Sequence, residues 1–271
     1  MIEIARPLVI AHRGFSTAAP ENTVPAFQLA LAAGADLVEL DVHRSADGVW
    51  VVIHDATLDR TTDAVSRRGR RRQAVRNVTW EELCALDAGS WFQPRYAGTR
   101  VPSLTEAVRL IRTGGCIPLI ERKAGEPADL ARLLRELNVA REVVVQSFDW
   151  HFLRLVHEEA PEITLAALGP ASRLPDGSRG DQTDPSLDDA RARRAEPTGA
   201  RVLVWDHYHI HAAGVRAAQK RGFKVWVYTV NADPDYERVL VAGVNGLITD
   251  QPARLWRFLA LRKGPNATPG P

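Results

Sequence analysis

With 271 residues, 45% of them hydrophobic, the chain can bury one barrel-sized core or two smaller ones. Its 35 basic side chains against 33 acidic ones leave a net charge of +2, so no global field draws it to nucleic acid or to an anionic membrane. Cys84 and Cys116 are too few for a disulfide framework and lack a metal-ligand spacing.

The N-terminus, Met1-Ile2-Glu3-Ile4, is acidic where a signal peptide would be basic. No run approaches the roughly 20 apolar residues of a membrane span. The expectation is a cytoplasmic protein without stable membrane insertion; nothing in the sequence sets the oligomeric state.

In chain order, a strand is predicted over 8–11. A helix follows, capped by Asn22, with Val24, Phe27 and Leu31 facing inward and Gly34 just past its end. Strands 37–42 and 49–54 lead into a polar excursion over 56–101. That segment holds the run Arg67-Arg68-Gly69-Arg70-Arg71-Arg72, read as a solvated loop, and a short helix signal from Thr79 to Leu86. Helix 104–113, strand 116–122, helix 127–138, strand 143–147 and helix 149–159 come next. The second half reads strand 163–168, an irregular stretch over 170–199 with a helical turn near Arg191 to Glu196, and strand 201–205. It closes with helix 210–221, strand 224–230, helix 234–242, strand 246–249 and helix 252–261. The tail 263–271, rich in Gly and Pro, is expected to be disordered.

Strand and helix patterns alternate, which argues for a mostly parallel sheet or barrel in one domain over 1–262. Nine strands are one too many for eight barrel places. Only the turn around Asp47-Gly48 separates strands 37–42 and 49–54, and a parallel crossover needs a dozen or more residues. The two therefore form a hairpin; with Asp47-Gly48 as a two-residue turn, facing residue numbers sum to 95 and Asp41 faces His54. The 170–199 stretch leaves the carboxyl end of a strand and is expected as a mobile loop over the barrel mouth.

Five polar motifs stand where apolar strands end: His12-Arg13-Gly14, Glu39-Leu40-Asp41, His54-Asp55, Glu121-Arg122-Lys123 and Gln146-Ser147-Phe148. In a parallel barrel these positions converge on the end that carries active sites. Val38, Leu40 and Val42 alternate with Glu39 and Asp41, so the apolar set packs under the helices and both acids point into the mouth. Like charges this close need a cation. Glu39, Asp41 and Glu121 offer hard oxygen ligands, which suit one divalent Mg²⁺ or Ca²⁺ rather than zinc. Lys123 lies on the face of Glu121, with Arg122 pointing the other way. His12 and His54 suit proton transfer near neutral pH. Arg13 supplies a planar fork for a phosphoryl group, Lys123 a point charge, and Gly14 a tight turn. The set suits metal-assisted cleavage of a phosphate ester. His207, His209 and His211 beside Asp206 sit at a strand-to-helix junction and are read as ordinary polar residues there.

These motifs, with Pro20-Glu21-Asn22-Thr23, Gly34 to Val42, Asp47-Gly48, Arg60-Thr61-Thr62, Leu86 to Trp91 and Pro102-Ser103-Leu104, resemble the glycerophosphodiester phosphodiesterase family. The resemblance continues at Ser147-Phe148, Thr229-Val230-Asn231 and Gly246 to Asp250, in order along nearly the whole chain. It implies a TIM-type (β/α)8 barrel of the phosphodiesterase kind with a small insertion after the third strand, here 56–101. It also implies a small-molecule glycerophosphodiester substrate, hydrolysed to an alcohol and sn-glycerol 3-phosphate. By position Glu39, Asp41 and Glu121 hold the divalent metal, and His12 and His54 form the acid/base pair; the sequence leaves open which is base and which acid, with His12 the preferred base and His54 the preferred acid. Tyr228 stands where the family usually has tryptophan, which makes it a substrate-binding residue that shapes the pocket. Two rival readings remain: a lysophospholipase D-type enzyme, marked by a broad apolar groove, and a non-catalytic phosphate-binding barrel. The second would be marked by loss of a metal acid or a histidine, and all five are present.

Overall fold

A computed structural model describes residues 6–262 except Arg70 and Gln182, so the tail expected over 263–271 and one arginine of the basic run lie outside the described residues. The strands are β1 (Leu8–Ala11), β2 (Leu37–Arg44), β3 (Trp50–Val52), β4 (Ile117–Arg122) and β5 (Val144–Ser147), then β6 (Thr164–Gly169), β7 (Val202–Asp206), β8 (Lys224–Tyr228) and β9 (Gly246–Thr249). Omitting β3, eight of them run parallel in the order β1-β2-β4-β5-β6-β7-β8-β9 and close where β9 pairs with β1. The architecture is a TIM barrel. Helices α1 (Val24–Ala32), α2 (Ala64–Arg68), α3 (Trp80–Cys84), α4 (Leu104–Thr113) and α5 (Pro127–Glu136) precede α6 (Trp150–Glu159), α7 (Asp189–Ala195), α8 (Ala212–Lys220), α9 (Asp233–Val241) and α10 (Pro252–Arg262). None of these is long and apolar enough to cross a membrane.

The period-two pattern of each strand divides two cores. Val38, Leu40 and Val42 join the outer core with Phe27 of α1 and Leu104, Val108 and Ile111 of α4. Ile10, Leu119, Val144, Val204, Trp226 and Ile248 fill the barrel interior. The interior is therefore packed, and polar side chains are admitted only above it, at the carboxyl ends of the strands.

β2 outruns β1, and its overhang pairs antiparallel with β3: Val42 opposite Val52, His43 opposite Val51, Arg44 opposite Trp50. Facing numbers thus sum to 94, not the expected 95. Asp41 stands opposite Ile53, whose amide donates to its carbonyl at 3.0 Å, and His54 lies one residue beyond. The loop is the cause. Ser45 and Val49 close a three-residue loop, Gly48 taking φ +82°, and a third loop residue shifts the register by one.

Two further expectations change. Thr23, not Asn22, occupies the cap of α1 and makes no side-chain cap bond; Asn22 sits at φ +59° with its amide turned to Asp41. In the 170–199 stretch, Ser172 N–H donates to Phe148 O at 2.8 Å and Trp150 N–H to Arg173 O at 2.9 Å, which fastens its first half to the start of α6. The helical turn expected near 191–196 is the crossover helix α7, capped by Asp188. Only its small Ala192 and Ala195 are buried, so the sequence carried little amphipathic signal.

The 56–101 insertion has a core of its own. Leu58, Val75, Leu83 and Leu86 pack with Val51 and Ile53 beside the hairpin. Thr79 and Glu82 form a reciprocal capping box at α3.

Candidate active site

Immediately after β1 the chain turns through two left-handed residues, Arg13 (φ +54°) and Gly14 (φ +81°). Arg13 N–H donates to Glu39 Oε2 at 2.8 Å, which holds the turn against the acids. A Cβ on Gly14 would lie 2.7 Å from the carbonyl carbon of Ala26. Gly14→Ala is therefore expected to destabilise the fold by about 2–4 kcal/mol, from the left-handed penalty plus overpacking. Urea unfolding measures it.

Glu39, Asp41 and Glu121 are all buried, with carboxylate oxygens within 4.8 Å of one another. β2 and β4 set this directly, because Asp41 and Glu121 are register partners. Two cations neutralise the cluster in part. Lys123 Nζ is 3.1 Å from Asp41 and also pairs with Glu121; Arg13 Nε is 3.3 Å from Asp41. Asn22 adds hydrogen bonds in both directions, donating Nδ2 to Asp41 Oδ2 at 2.8 Å and accepting its amide at 3.1 Å. Burial opposes ionisation of Asp41, but Lys123 and Arg13 outweigh it and lower its pKa. Burial and the Asp41 charge push Glu39 up to about 8 and Glu121 up to about 7. Glu39 Oε1 is buried with no hydrogen-bond partner. Three carboxylates that share two cations, one oxygen left unsatisfied, fit a divalent cation with oxygen ligands.

Two histidines flank the triad in the same way. His12 Nδ1 is 2.7 Å from Asp250 Oδ1, and His54 Nδ1 is 2.7 Å from Asp55 Oδ1. Each carboxylate occupies Nδ1 and leaves Nε2 for the cavity. Asp250 is fixed in turn by Ser16 Oγ at 3.0 Å and Asn231 Nδ2 at 2.6 Å. Burial opposes the charged form of His12, but the Asp250 bond and the Glu39 charge raise its pKa. At His54 burial prevails, with Lys123 and Arg13 adding to it, and the pKa is lowered.

Seven of the eight residues singled out by sequence, His12, Arg13, Glu39, His54, Glu121, Lys123 and Tyr228, line one cavity of about 180 Å³. The eighth, Asp41, is buried against Asn22, Lys123 and Arg13. Phe148, Leu168 and Ile248 complete an apolar wall with Tyr228, whose hydroxyl donates to Gly169 O at 3.0 Å. Its ring meets Phe148 edge-on at 6.0 Å. Among its described residues, the 170–199 stretch contributes none to this lining.

Three contributors had no assigned role in the sequence reading, Asp250, Asp55 and Gln146, and a fourth, Asn22, had only that of a helix cap. Asp250 follows a strand as the other motifs do, and that signal could have found it. Gln146 lines the cavity with Oε1 buried and unpartnered. His207 is structural: buried, it accepts from Arg238 Nη2 through Nδ1 at 2.9 Å. Among the described residues the acidic triad is the only group of three or more residues placed to hold a metal.

Residues 12–254 match the model of the Glycerophosphoryl diester phosphodiesterase family. The chain belongs to this family. It is 36% identical over 265 residues to a glycerophosphodiester phosphodiesterase of Caldanaerobacter subterraneus subsp. tengcongensis, covering 96% of this chain and 99% of the relative. A glycerophosphodiester phosphodiesterase of Bacillus subtilis is 30% identical, over 91% of this chain and 84% of the relative. Among solved structures, an Oleispira antarctica phosphodiesterase in complex with the product sn-glycerol-3-phosphate superposes with a TM-score of 0.80 at 26% identity, over 94% of this chain and 97% of that one. The glycerophosphodiester phosphodiesterase of Agrobacterium tumefaciens gives 0.73 at 30% identity, over 91% and 97%. As a member of the glycerophosphoryl diester phosphodiesterase family, the protein is an enzyme of the phosphoric diester hydrolase kind. The motif resemblance and the barrel expected from it both hold.

Proposed function

We propose that the protein hydrolyses small glycerophosphodiesters to an alcohol and sn-glycerol 3-phosphate, with one divalent cation at Glu39, Asp41 and Glu121 and with His12 and His54 as the proton-transfer pair. The observation that carries this reading is one cavity lined by two carboxylate-anchored imidazoles and by Glu39 and Glu121, whose carboxylates cluster with that of buried Asp41. Bound there, Mg²⁺ or Ca²⁺ supplies charge stabilisation and a lowered pKa for the attacking hydroxyl, a water or the glycerol 2-hydroxyl. Arg13 and Lys123, which line the cavity with Glu39 and Glu121, bring positive charge to the phosphoryl oxygens. One imidazole takes the proton of the nucleophile and the other protonates the leaving alcohol.

Phe148, Leu168, Tyr228 and Ile248 offer apolar contact to the carbon skeleton, and Gln146 a hydrogen-bonding partner for a hydroxyl. At about 180 Å³ the cavity is below the roughly 300 Å³ of pockets that enclose drug-sized ligands. Its size supports a glycerophosphodiester over a lysophospholipid. The test is release of glycerol 3-phosphate from a panel of glycerophosphodiesters and lysophospholipids, with and without chelator. Acyl-chain substrates turned over faster than all glycerophosphodiesters would overturn the assignment.

The raised acids predict proton release. Glu39 at about 8 and Glu121 at about 7 are largely protonated in the metal-free protein at pH 6 and must ionise to hold a cation. Calorimetry in buffers of different ionisation enthalpy should show about two protons released per ion at pH 6 and close to none at pH 9. Stability follows with a definite sign. Because these folded pKa values exceed the unfolded value near 4.3, the two groups favour the metal-free fold most below pH 4, and that contribution fades as pH rises through 7 to 8. The Tm gain on adding Ca²⁺ or Mg²⁺ should therefore grow from pH 5 to pH 8.

A further inference from the structure

Arg60 lies in the inserted segment, outside the barrel, and is absent from the cavity lining. Yet four hydrogen bonds tie it to groups that hold the site. Nε and Nη2 donate to Asp55 Oδ2 and Oδ1, each at 2.9 Å, while Nη1 and Nη2 donate to Glu21 Oε2 and Oε1, each at 2.8 Å. Asp55 Oδ1 in turn holds His54 Nδ1 at 2.7 Å, and Glu21 Oε1 accepts from Arg13 Nη1 at 2.8 Å. A single guanidinium thus joins two carboxylates, one gripping a proton-transfer imidazole and the other a phosphate-facing arginine.

We propose that Arg60 is a positioning residue that sets the orientations of His54 and Arg13 together, through Asp55 and Glu21, so that proton transfer and phosphate contact are aligned as a unit. The inference rests on the roles proposed above for His54 and Arg13. The local sequence is built to deliver this fork. Leu58, Thr61 and Thr62 around it are buried, and Thr62 Oγ1 donates to Leu58 O at 2.6 Å, which fixes the backbone from which Arg60 projects. The insertion then has a task beyond covering the hairpin. It carries the fork that braces the mouth.

The chemistry needs arginine in particular. A planar fork can satisfy two carboxylates bidentately, whereas a lysine offers one compact charge. The Arg60 bonds and His54 hold Asp55 well below the usual carboxylate range, so Asp55 stays an acceptor for the His54 Nδ1 proton. The Arg60 side chain is 43% exposed, so water screens its ion pairs and weakens their contribution to folding.

The test compares Arg60→Met and Arg60→Lys in the full chain and in the His54→Ala and Arg13→Met backgrounds, with metal present and glycerophosphocholine as substrate. Arg60→Met is expected to lower kcat roughly 10–100-fold, the usual effect of losing a group that orients a catalytic one, with Tm nearly unchanged. Arg60→Lys should recover only part of the rate. The penalty of Arg60→Met should shrink in each background, since one arm of the coupling is already gone. Should Arg60→Met fold poorly, Arg60→Ala with added guanidinium chloride at non-denaturing concentration should regain rate through the exposed gap. A kcat within twofold of the parent, the same fold-loss in all three backgrounds, or no guanidinium rescue of Arg60→Ala would overturn the proposal. Unimpaired His54→Ala and Arg13→Met parents would be a separate failure, that of the functional reading beneath it.

Discussion

Glu39→Gln is expected to lower kcat on the order of 10³-fold, since the substitution removes a ligand from a cation that both stabilises charge and activates the nucleophile. Divalent-ion affinity should fall with it. The same change should leave the metal-free protein as stable as the parent at pH 8, or more so. Glu39 is buried, with one unsatisfied oxygen and a pKa pushed up to about 8, and a neutral amide of the same shape avoids that cost. A glutamine oxygen can still accept from Arg13 N–H, now 2.8 Å from Glu39 Oε2. Lost activity with retained or raised Tm is the signature of a site held strained for a ligand. Full turnover after exhaustive chelation and dialysis would sink the metal assignment for all three acids.

His12→Ala and His54→Ala should each lower kcat by roughly 10²–10⁴, the range for a positioned general acid or base. The double variant should lose far less than the product of the two, because groups acting on one proton-transfer sequence are non-additive. Simple multiplicativity would mean that the imidazoles act independently. A substrate with an activated leaving group, such as a p-nitrophenyl ester of glycerol phosphate, separates the roles, since a good leaving group needs little protonation. With His12 as base and His54 as acid, His54→Ala is the variant that regains rate on this substrate. Rescue of His12→Ala instead would reverse the assignment. Wild-type rates in both single variants would exclude proton transfer by either residue.

Much of the site was legible in the chain because period-two alternation is a local property. In 37–42 it assigned Glu39 and Asp41 to the mouth and Val38, Leu40 and Val42 to the helices, and the structure divides them that way. The same rule placed Lys123 with Glu121 and turned Arg122 away, to Asp149 at 3.2 Å and over the Phe152 ring. A strand end is also a local signal, which is why six of these seven residues, from four separate motifs, could be expected to line one cavity, with Tyr228 added by the family resemblance.

What stayed hidden depended on partners distant in sequence or on a single loop residue. Whether Asp47-Gly48 closes two or three residues is decided by Gly48 taking φ +82° as the third, and that choice moved Asp41 from His54 to Ile53. Asn22 carries a cap propensity, yet its amide reaches Asp41, 19 residues away, because a buried carboxylate left without a donor is costly. Asp250 meets His12 across 238 residues only because β9 closes on β1. Arg60 bridges two carboxylates that are separated by 34 positions, Glu21 to Asp55. Sequence by itself determined the alternation of strands and helices and the placing of the acids and histidines at strand ends, since each follows from its own strand's pattern, and the family resemblance supplied the barrel. The tertiary structure decided which carboxylates anchor the histidines and Arg13, because ring closure joins Asp250 to His12 and the seating of the insertion brings Arg60 to Glu21 and Asp55.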